Sequence, residues 1–530
     1  RASRELERAV RQPLRQNNTQ VRTCSVVSVP APLGGWNSRS GLAEMKPNQA
    51  VALENWFPST AYCEGRGGTS SHATAMTGNG KTLAVYTPLS GTSKMFCFTA
   101  SGMYDVSSAG AVAASKATST SGKWQYVNFG DGTNNYLICV NGTDKPVYFN
   151  GTTYVMVDNA TSPALTGITT TELIHVFVFK GRLIFIQKAT LSFWYLAAGA
   201  AGGALTEFDL STEAVKGGYI VAAASWTLDA GTGLDDYAVF VTSEGEAIVY
   251  QGTNPSSAAS WAKIGTYNVG RPLGRRCLTR YGGDLVVLTE SGAFPLSKAI
   301  LTAAVSYENA LSYNIEPTFV ESARSSGTIF GWEATVYPAH SAMIVNVPQA
   351  EDGVHTQYVM NTITKAWCKF TGWDAECFAV FNGDLYYADG TVVYKAWTGY
   401  SDAGTNITLY GKQAFNYFGD KGRTKHFDMF QPVMAVNGSS FSYLTDIDVD
   451  FRDNEITGVA TFNVANRAVW DVDVWDECLW AAGLEVVKEW TSPAENVGYC
   501  AAGKLKITTN TLQVQWMSSN MMYRVGGPLG

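Results

Sequence analysis

The chain has 530 residues, 46% hydrophobic and only 16% charged, with a net charge of −7, which is too long for one compact core and apolar enough to fold without covalent staples. Its 52 glycines, 26 tyrosines, 24 phenylalanines and 15 tryptophans point to many short strands and tight turns, because aromatics suit a pleated, half-buried surface and glycine suits turns. Sustained helical heptads are missing, and no apolar run is long enough to span a membrane, so membrane insertion is not expected.

Residues 1–29 read as a basic arm. Arg1, Arg4, Arg8, Arg11, Arg15 and Arg22 face only Glu5 and Glu7, a net +4 that leaves −11 for the rest of the chain. A mildly acidic body does not condense on DNA, whereas such an arm can reach an acidic partner or a phosphate backbone; its composition suits a solvated tail equally. Basic residues without an apolar stretch behind them predict no secretory leader in this segment.

Residues 30–75 change character. Gly34-Gly-Trp36 and the glycines around Arg66 read as turns, and Pro47-Asn-Gln-Ala-Val-Ala-Leu-Glu-Asn55 reads as a short amphipathic helix begun by a proline or an asparagine cap.

Residues 76–400 repeat one pattern: two apolar runs of strand length hinged on a glycine turn. The clearest copy is Asp236-Tyr-Ala-Val-Phe-Val-Thr-Ser-Glu-Gly-Glu-Ala-Ile-Val-Tyr-Gln-Gly252, an antiparallel hairpin turning on Glu244-Gly245. It recurs as Lys94–Phe98 with Met103–Val106, Tyr136–Val140 with Val147–Phe149, Arg182–Ile186 with Ser192–Tyr195, Asp284–Leu288 with Ala293–Leu296, and Asp384–Tyr387 with Val392–Lys395. A weaker seventh copy lies at Met343–Val347. Spacings of roughly 40 to 60 residues match four-stranded blades that bury their faces only by stacking, which predicts a mainly β chain containing a β-propeller of six or seven blades. The longer excursions at Ala197–Ala204 and Pro348–Gly353 are expected on the propeller faces, where partners bind.

Residues 401–530 lose the hairpin period. Thr445–Asp450 and Lys504–Ile507 alternate as strands of a separate antiparallel sandwich whose edges need covering. Asp446, Asp448 and Asp450 share one strand face with neighbours about 7 Å apart, and a solvated or lumen-facing acidic surface is the favoured reading over a cation site, since one strand offers too few ligands. Lys421, Arg423, Lys425 and His426 beside Phe415, Tyr417, Phe418 and Phe427 suit either a solvated loop, an inter-subunit ion pair or a grip on single-stranded nucleic acid. Trp470, Trp475 and Trp480 recur every five residues, a spacing that fits neither one helix face nor one strand face; packing under the domain is favoured over an interface role.

No P-loop, nucleophile elbow or dinucleotide fingerprint occurs, and His72, His175, His340, His355 and His426 have no ligand-spaced partners, so neither a cofactor nor a metal is expected. Nine cysteines without a CxxC pair, several inside apolar runs, predict buried free thiols and assembly in a reducing cytoplasm. Thr227-Leu-Asp-Ala-Gly-Thr-Gly-Leu234 partly matches a sialidase Asp-box, which keeps a glycan-binding or glycan-hydrolysing propeller as the alternative function.

The order Gly34, Gly35, Trp36, then Leu42 and Met45, then Gln49, Ala50, Leu53 and Asn55, then Arg66 and Gly68 resembles the opening of the tail nozzle proteins of short-tailed bacteriophages, also called tail tubular protein B. The likeness continues through Gly231–Tyr237, Tyr250–Pro255, Gly274–Cys277 and Tyr358–Trp367, over most of residues 30–530. The resemblance implies a non-enzymatic structural virion protein of the tail, assembled in the bacterial cytoplasm. It implies a homo-oligomeric ring, a hexamer, that docks below an adaptor ring, supports tail fibres or tailspikes and lets double-stranded DNA pass without sequence-specific contact. It further implies that residues 30–75 and 401–530 together form the ring-building platform. Arg4, Arg8, Arg11, Arg15, Gly34, Gly35, Trp36 and Arg66 are then the expected docking residues, and Asp446, Asp448 and Asp450 the expected lumen-facing carboxylates.

Overall fold

The computed structural model describes residues 24–229, 234–298, 307–437, 440–462 and 484–526. Seven sheets form a closed wheel. The innermost strands, in ring order, are Thr82–Tyr86, Gln125–Gly130, Leu173–Phe179, Ile220–Asp229, Leu278–Tyr281, Glu333–Tyr337 and Cys377–Phe381, and the last lies beside the first. The chain is therefore a seven-bladed propeller, and each of the seven recurring hairpin segments contributes to the middle of one blade. In blade 4, for instance, Leu234–Thr242 pairs with Glu246–Gly252 in the register Phe240 to Ile248, turning on Gly245 at φ 83°.

Middle strands carry the legible pattern because both their faces are buried. Met95, Phe96, Cys97 and Phe98 of blade 1 and Leu183 to Ile186 of blade 3 are all sealed from solvent, and each face packs on a neighbouring blade. Among the described residues blade 5, like blade 1, has three strands. Beside it lies the helix Glu316–Ser326, with Pro317 in its first turn and Phe319, Ala323 and Ser326 on one buried face; Phe319 meets Trp332 and Tyr358.

The ring closes with a strand from outside the 76–400 segment. Thr69–Thr74 pairs antiparallel with Val392–Ala396 as the outer strand of blade 7, so sequence from before blade 1 completes the last blade.

Both ends of the described chain then build one platform. Gln513–Val525 pairs with Ser25–Pro30, Cys63–Gly65 and Lys425–Asn437 in one sheet. In the other, Ile407–Gln413, Ala501–Thr509 and Phe441–Val449 run side by side. A shared core that includes Trp56, Trp516, Leu505 and Val514 serves these sheets, with Trp56 and Trp516 ring centroids 5.6 Å apart. The second sheet does not stop at the platform. Through Gln49–Glu54 it continues into blade 6, giving ten strands across the joint, so the C-terminal region is not a separate sandwich.

Gln49–Glu54 is a strand where a short helix was expected. Its register with Ile407–Gln413 slips between Ala50 and Ala52, and the bulge lets buried Ala50 and Leu53, three residues apart, share a face; that spacing imitates helical periodicity.

Candidate functional site: the joint and the bore

The joint is where the chain enters and leaves the wheel, and Arg66 clasps the two crossings. Its guanidinium grips Asp402 bidentately at 2.8 and 2.5 Å, donates through Nε to Asn55 Oδ1 at 2.9 Å and reaches the Thr371 carbonyl at 2.7 Å. The Trp373 ring lies 5.0 Å from it. A planar fork with five donors satisfies this set, which a single ammonium cannot. Arg66 is 3% exposed, so the expectation of a docking arginine is corrected: within the chain it is an internal clasp.

The neighbouring residues of the resemblance are also internal. Gly35 has φ 75°, and a Cβ there would sit 2.6 Å from the backbone N and O of Trp367, so the close approach of two strands dictates glycine. Trp36 is buried edge-on against Tyr358 at 5.3 Å, and Gly34 lies against the Asn48 carbonyl. Arg4, Arg8, Arg11 and Arg15 lie outside the described residues, as do Trp470, Trp475 and Trp480 and residues 230–233 of the Asp-box match.

The acidic row is corrected too. Asp446 and Asp448 do share a face, but it is packed, as is the opposite face with Thr445, Ile447 and Val449: the two carboxylates are 3% and 0% exposed. Asp448 sits between two lysines, 2.7 Å from Lys504 Nζ and 2.6 Å from Lys412 Nζ, with Lys412 also 2.9 Å from Asp453. Asp446 accepts from the Ala494 and Thr457 backbone amides at 3.1 and 3.4 Å, and Asp450 from those of Tyr499 and Cys500 at 2.7 and 3.3 Å. These carboxylates fasten loops within the platform, which is what buried acids must do to offset desolvation.

In the basic loop, Lys425 turns inward and donates to the carbonyls of Asp420, Arg423 and Tyr499; burial holds its ammonium below the usual lysine pKa range. Phe418 and Phe427 pack on Tyr523, leaving Lys421 and Arg423 exposed. Cys24 and the seven buried cysteines among the described residues are unpaired. Burial pushes the Cys277 thiol up to about 12.

The bore of the wheel is bridged. Arg276 spans it, reaching the Lys81 carbonyl and Thr82 Oγ1 of blade 1 at 3.0 and 2.6 Å and Glu333 of blade 6 at 2.9 Å, while Glu333 accepts from the Phe378 amide of blade 7. The Pro348–Gly353 excursion folds back over blade 1, where Asp352 meets Lys81 at 2.6 Å and Glu351 meets Lys123 at 2.5 Å. Above Arg276 one mouth of the bore opens as a cavity of about 540 Å³, lined among others by Arg275, Lys188, Tyr219 and Phe330.

Blade 7 holds a strained carboxyl. Burial, then the like charges of Asp374 and Glu376, push Asp389 up to about 6. Because the unfolded value is about 4, this stabilisation of the protonated form is complete below about pH 4 and is lost as pH rises through about 6. Asp389→Asn is expected to raise the melting temperature at pH 7 and to flatten its decline between pH 4 and 7; melting curves of both proteins across that range check it, and identical profiles contradict it.

No protein-family model and no curated protein sequence matches the chain. Among solved structures, it is similar to a 6-phosphogluconolactonase-like protein of Bacteroides fragilis, 12% identical over 65% of this chain and 90% of that one with a TM-score of 0.33. A quinoprotein alcohol dehydrogenase-like protein of Bacteroides thetaiotaomicron is 8% identical over 61% and 70%, with a TM-score of 0.32. The computationally designed Ika8 protein is 9% identical over 62% and 99%, with a TM-score of 0.35. Likeness this loose carries no functional argument, and the assignment of seven blades rests on the strand pairing described above.

Proposed function

We propose that the chain is a structural, non-enzymatic subunit of a short-tailed phage tail: a nozzle protein whose platform closes into a ring, a hexamer by resemblance, that docks below the adaptor ring, carries tail fibres and encloses the DNA exit channel. One observation supports this above the rest: strands from both ends of the described residues form a platform whose sheet joins blade 6 through the Glu54–Lys369 pairing, a tie between wheel and platform that suits a load-bearing subunit. Exposed apolar side chains on platform strands, Val26, Val459, Val486 and Val497, each about half or more exposed, suit lateral contact with a second copy. The channel belongs to the ring and not to the wheel, whose bore Arg276 bridges.

Sedimentation of the full chain over a range of concentrations tests the reading. The expected particle is about six times the 57.1 kDa of one chain; a single 57.1 kDa species at every concentration refutes it.

A further inference from the structure

Arg275 stands at the open mouth of the bore without a counter-charge. Its guanidinium donates to the Asn141 carbonyl at 3.1 Å, and no carboxylate among the described residues pairs with it. Burial holds it below the ordinary guanidinium pKa range, with the Tyr219 phenol opposing that shift. A half-buried cation with four donors to spare is costly unless something anionic completes it.

Deeper in, the cavity of about 340 Å³ that Arg275 also lines contains two more unmet groups. Gln125 is 8% exposed, and its Nε2 has no acceptor. His175 donates from Nε2 to the Ala223 carbonyl at 2.7 Å, which leaves Nδ1 as a bare, buried acceptor with no donor; burial pushes its pKa down to about 4, so the ring is neutral near pH 7. Arg275 thus lines both cavities, with the acceptor and the donor in the deeper one and the Tyr219 and Phe330 rings at the mouth.

We propose that this mouth binds a carboxylated sugar, a hexuronic acid, with the carboxylate on Arg275. Hydroxyl groups both donate and accept, so the same ligand can give a proton to His175 Nδ1 and take one from Gln125 Nε2. Acetate or an acidic side chain answers Arg275 but neither of the other two, and a neutral sugar answers those two and leaves the guanidinium unmet. A mouth of about 540 Å³ is in the range of small-ligand sites, and exposed Lys188 on its rim adds a second positive charge. This goes beyond the ring reading and does not rest on it: a lone subunit or an assembled one has the same mouth.

The test is calorimetric titration of the full chain with D-glucuronate, D-glucose and acetate, with the state of assembly recorded for each sample. D-Glucuronate is expected to bind at least roughly tenfold more tightly than either control, and Arg275→Gln to weaken it roughly tenfold or more. Lys188→Gln, on the exposed rim, keeps the test open should the first variant misfold, and is expected to weaken binding about twofold to fivefold. Glucuronate binding no tighter than acetate, or indifferent to a folded Arg275→Gln and to Lys188→Gln, overturns the proposal. Those results leave the ring reading untouched, because that reading is judged on particle mass.

Discussion

Asp448→Asn is expected to destabilise the platform by about 3–5 kcal/mol, because it leaves two lysines buried without their shared anion. Lys504 and Asp448 side chains are fully excluded from solvent, and Lys412 is 5% exposed; an asparagine amide cannot balance two ammonium groups at 2.6 and 2.7 Å. Lys412 keeps Asp453, but that carboxylate is 80% exposed and is screened by water. Urea unfolding followed by tryptophan fluorescence reads the loss, and Asp453→Asn supplies the comparison, with an expected cost of about 1 kcal/mol or less. A sharper discriminator is the triple replacement of Lys412, Asp448 and Lys504 by methionine or leucine. Removing all three charges removes the desolvation cost along with the pairing, so the triple variant is expected to be more stable than Asp448→Asn alone. If Asp448→Asn instead unfolds at the wild-type urea concentration, the buried network has been misjudged.

Arg66→Lys is expected to cost about 2–4 kcal/mol, although it preserves charge. Lysine cannot hold Asp402 bidentately while also serving Asn55 Oδ1 and the Thr371 carbonyl, and any of these left buried without a donor bears its desolvation penalty. The effect is predicted to be local before it is global. Arg66 lies just ahead of Thr69–Thr74, the strand that closes blade 7, so amide exchange in that strand is expected to accelerate while exchange in the middle strands of blades 2 and 3 stays slow. Uniform acceleration throughout the wheel, or none at all, contradicts the role of Arg66 as clasp of the joint.

The middle hairpins were legible in the sequence because fully buried strands between glycine turns leave little choice of residue; six blades announced themselves there and the seventh only weakly, through Met343–Val347, which left the expected number at six or seven. Inner strands were harder to read. Ile220–Asp229, with Ala222 to Ala224 in its middle, has the small residues of a crowded axis and looks like no strand in particular. The closing strand Thr69–Thr74 is Thr-Ser-Ser-His-Ala-Thr, too polar for a periodicity argument, and the helix Glu316–Ser326 is short with only one narrow buried face. The joint was out of reach for a different reason. Arg66 and Asp402, or Asn55 and Thr371, are more than 300 residues apart in the chain, and nothing local marks them as partners. Gly35, Trp36 and Arg66 stood out through the family resemblance, yet resemblance gave no direction for their side chains, and the structure turns them inward. Asp446 and Asp448 alternate just as a solvated face does; only the pairing of their strand with Ala501–Thr509, which brings in Lys504, shows that their face is packed. Arg275 was visible within Gly274–Cys277, but its want of a counter-ion among the described residues is a property of seven blades brought together.

The most direct measurement of the account is electron microscopy of the purified full chain at high concentration. Closed rings with a central opening are expected, each subunit contributing platform to the ring and one seven-bladed wheel projecting from it. Isolated particles with no ring at any concentration, or rings built by contact between wheels with the platforms outermost and free, contradict it.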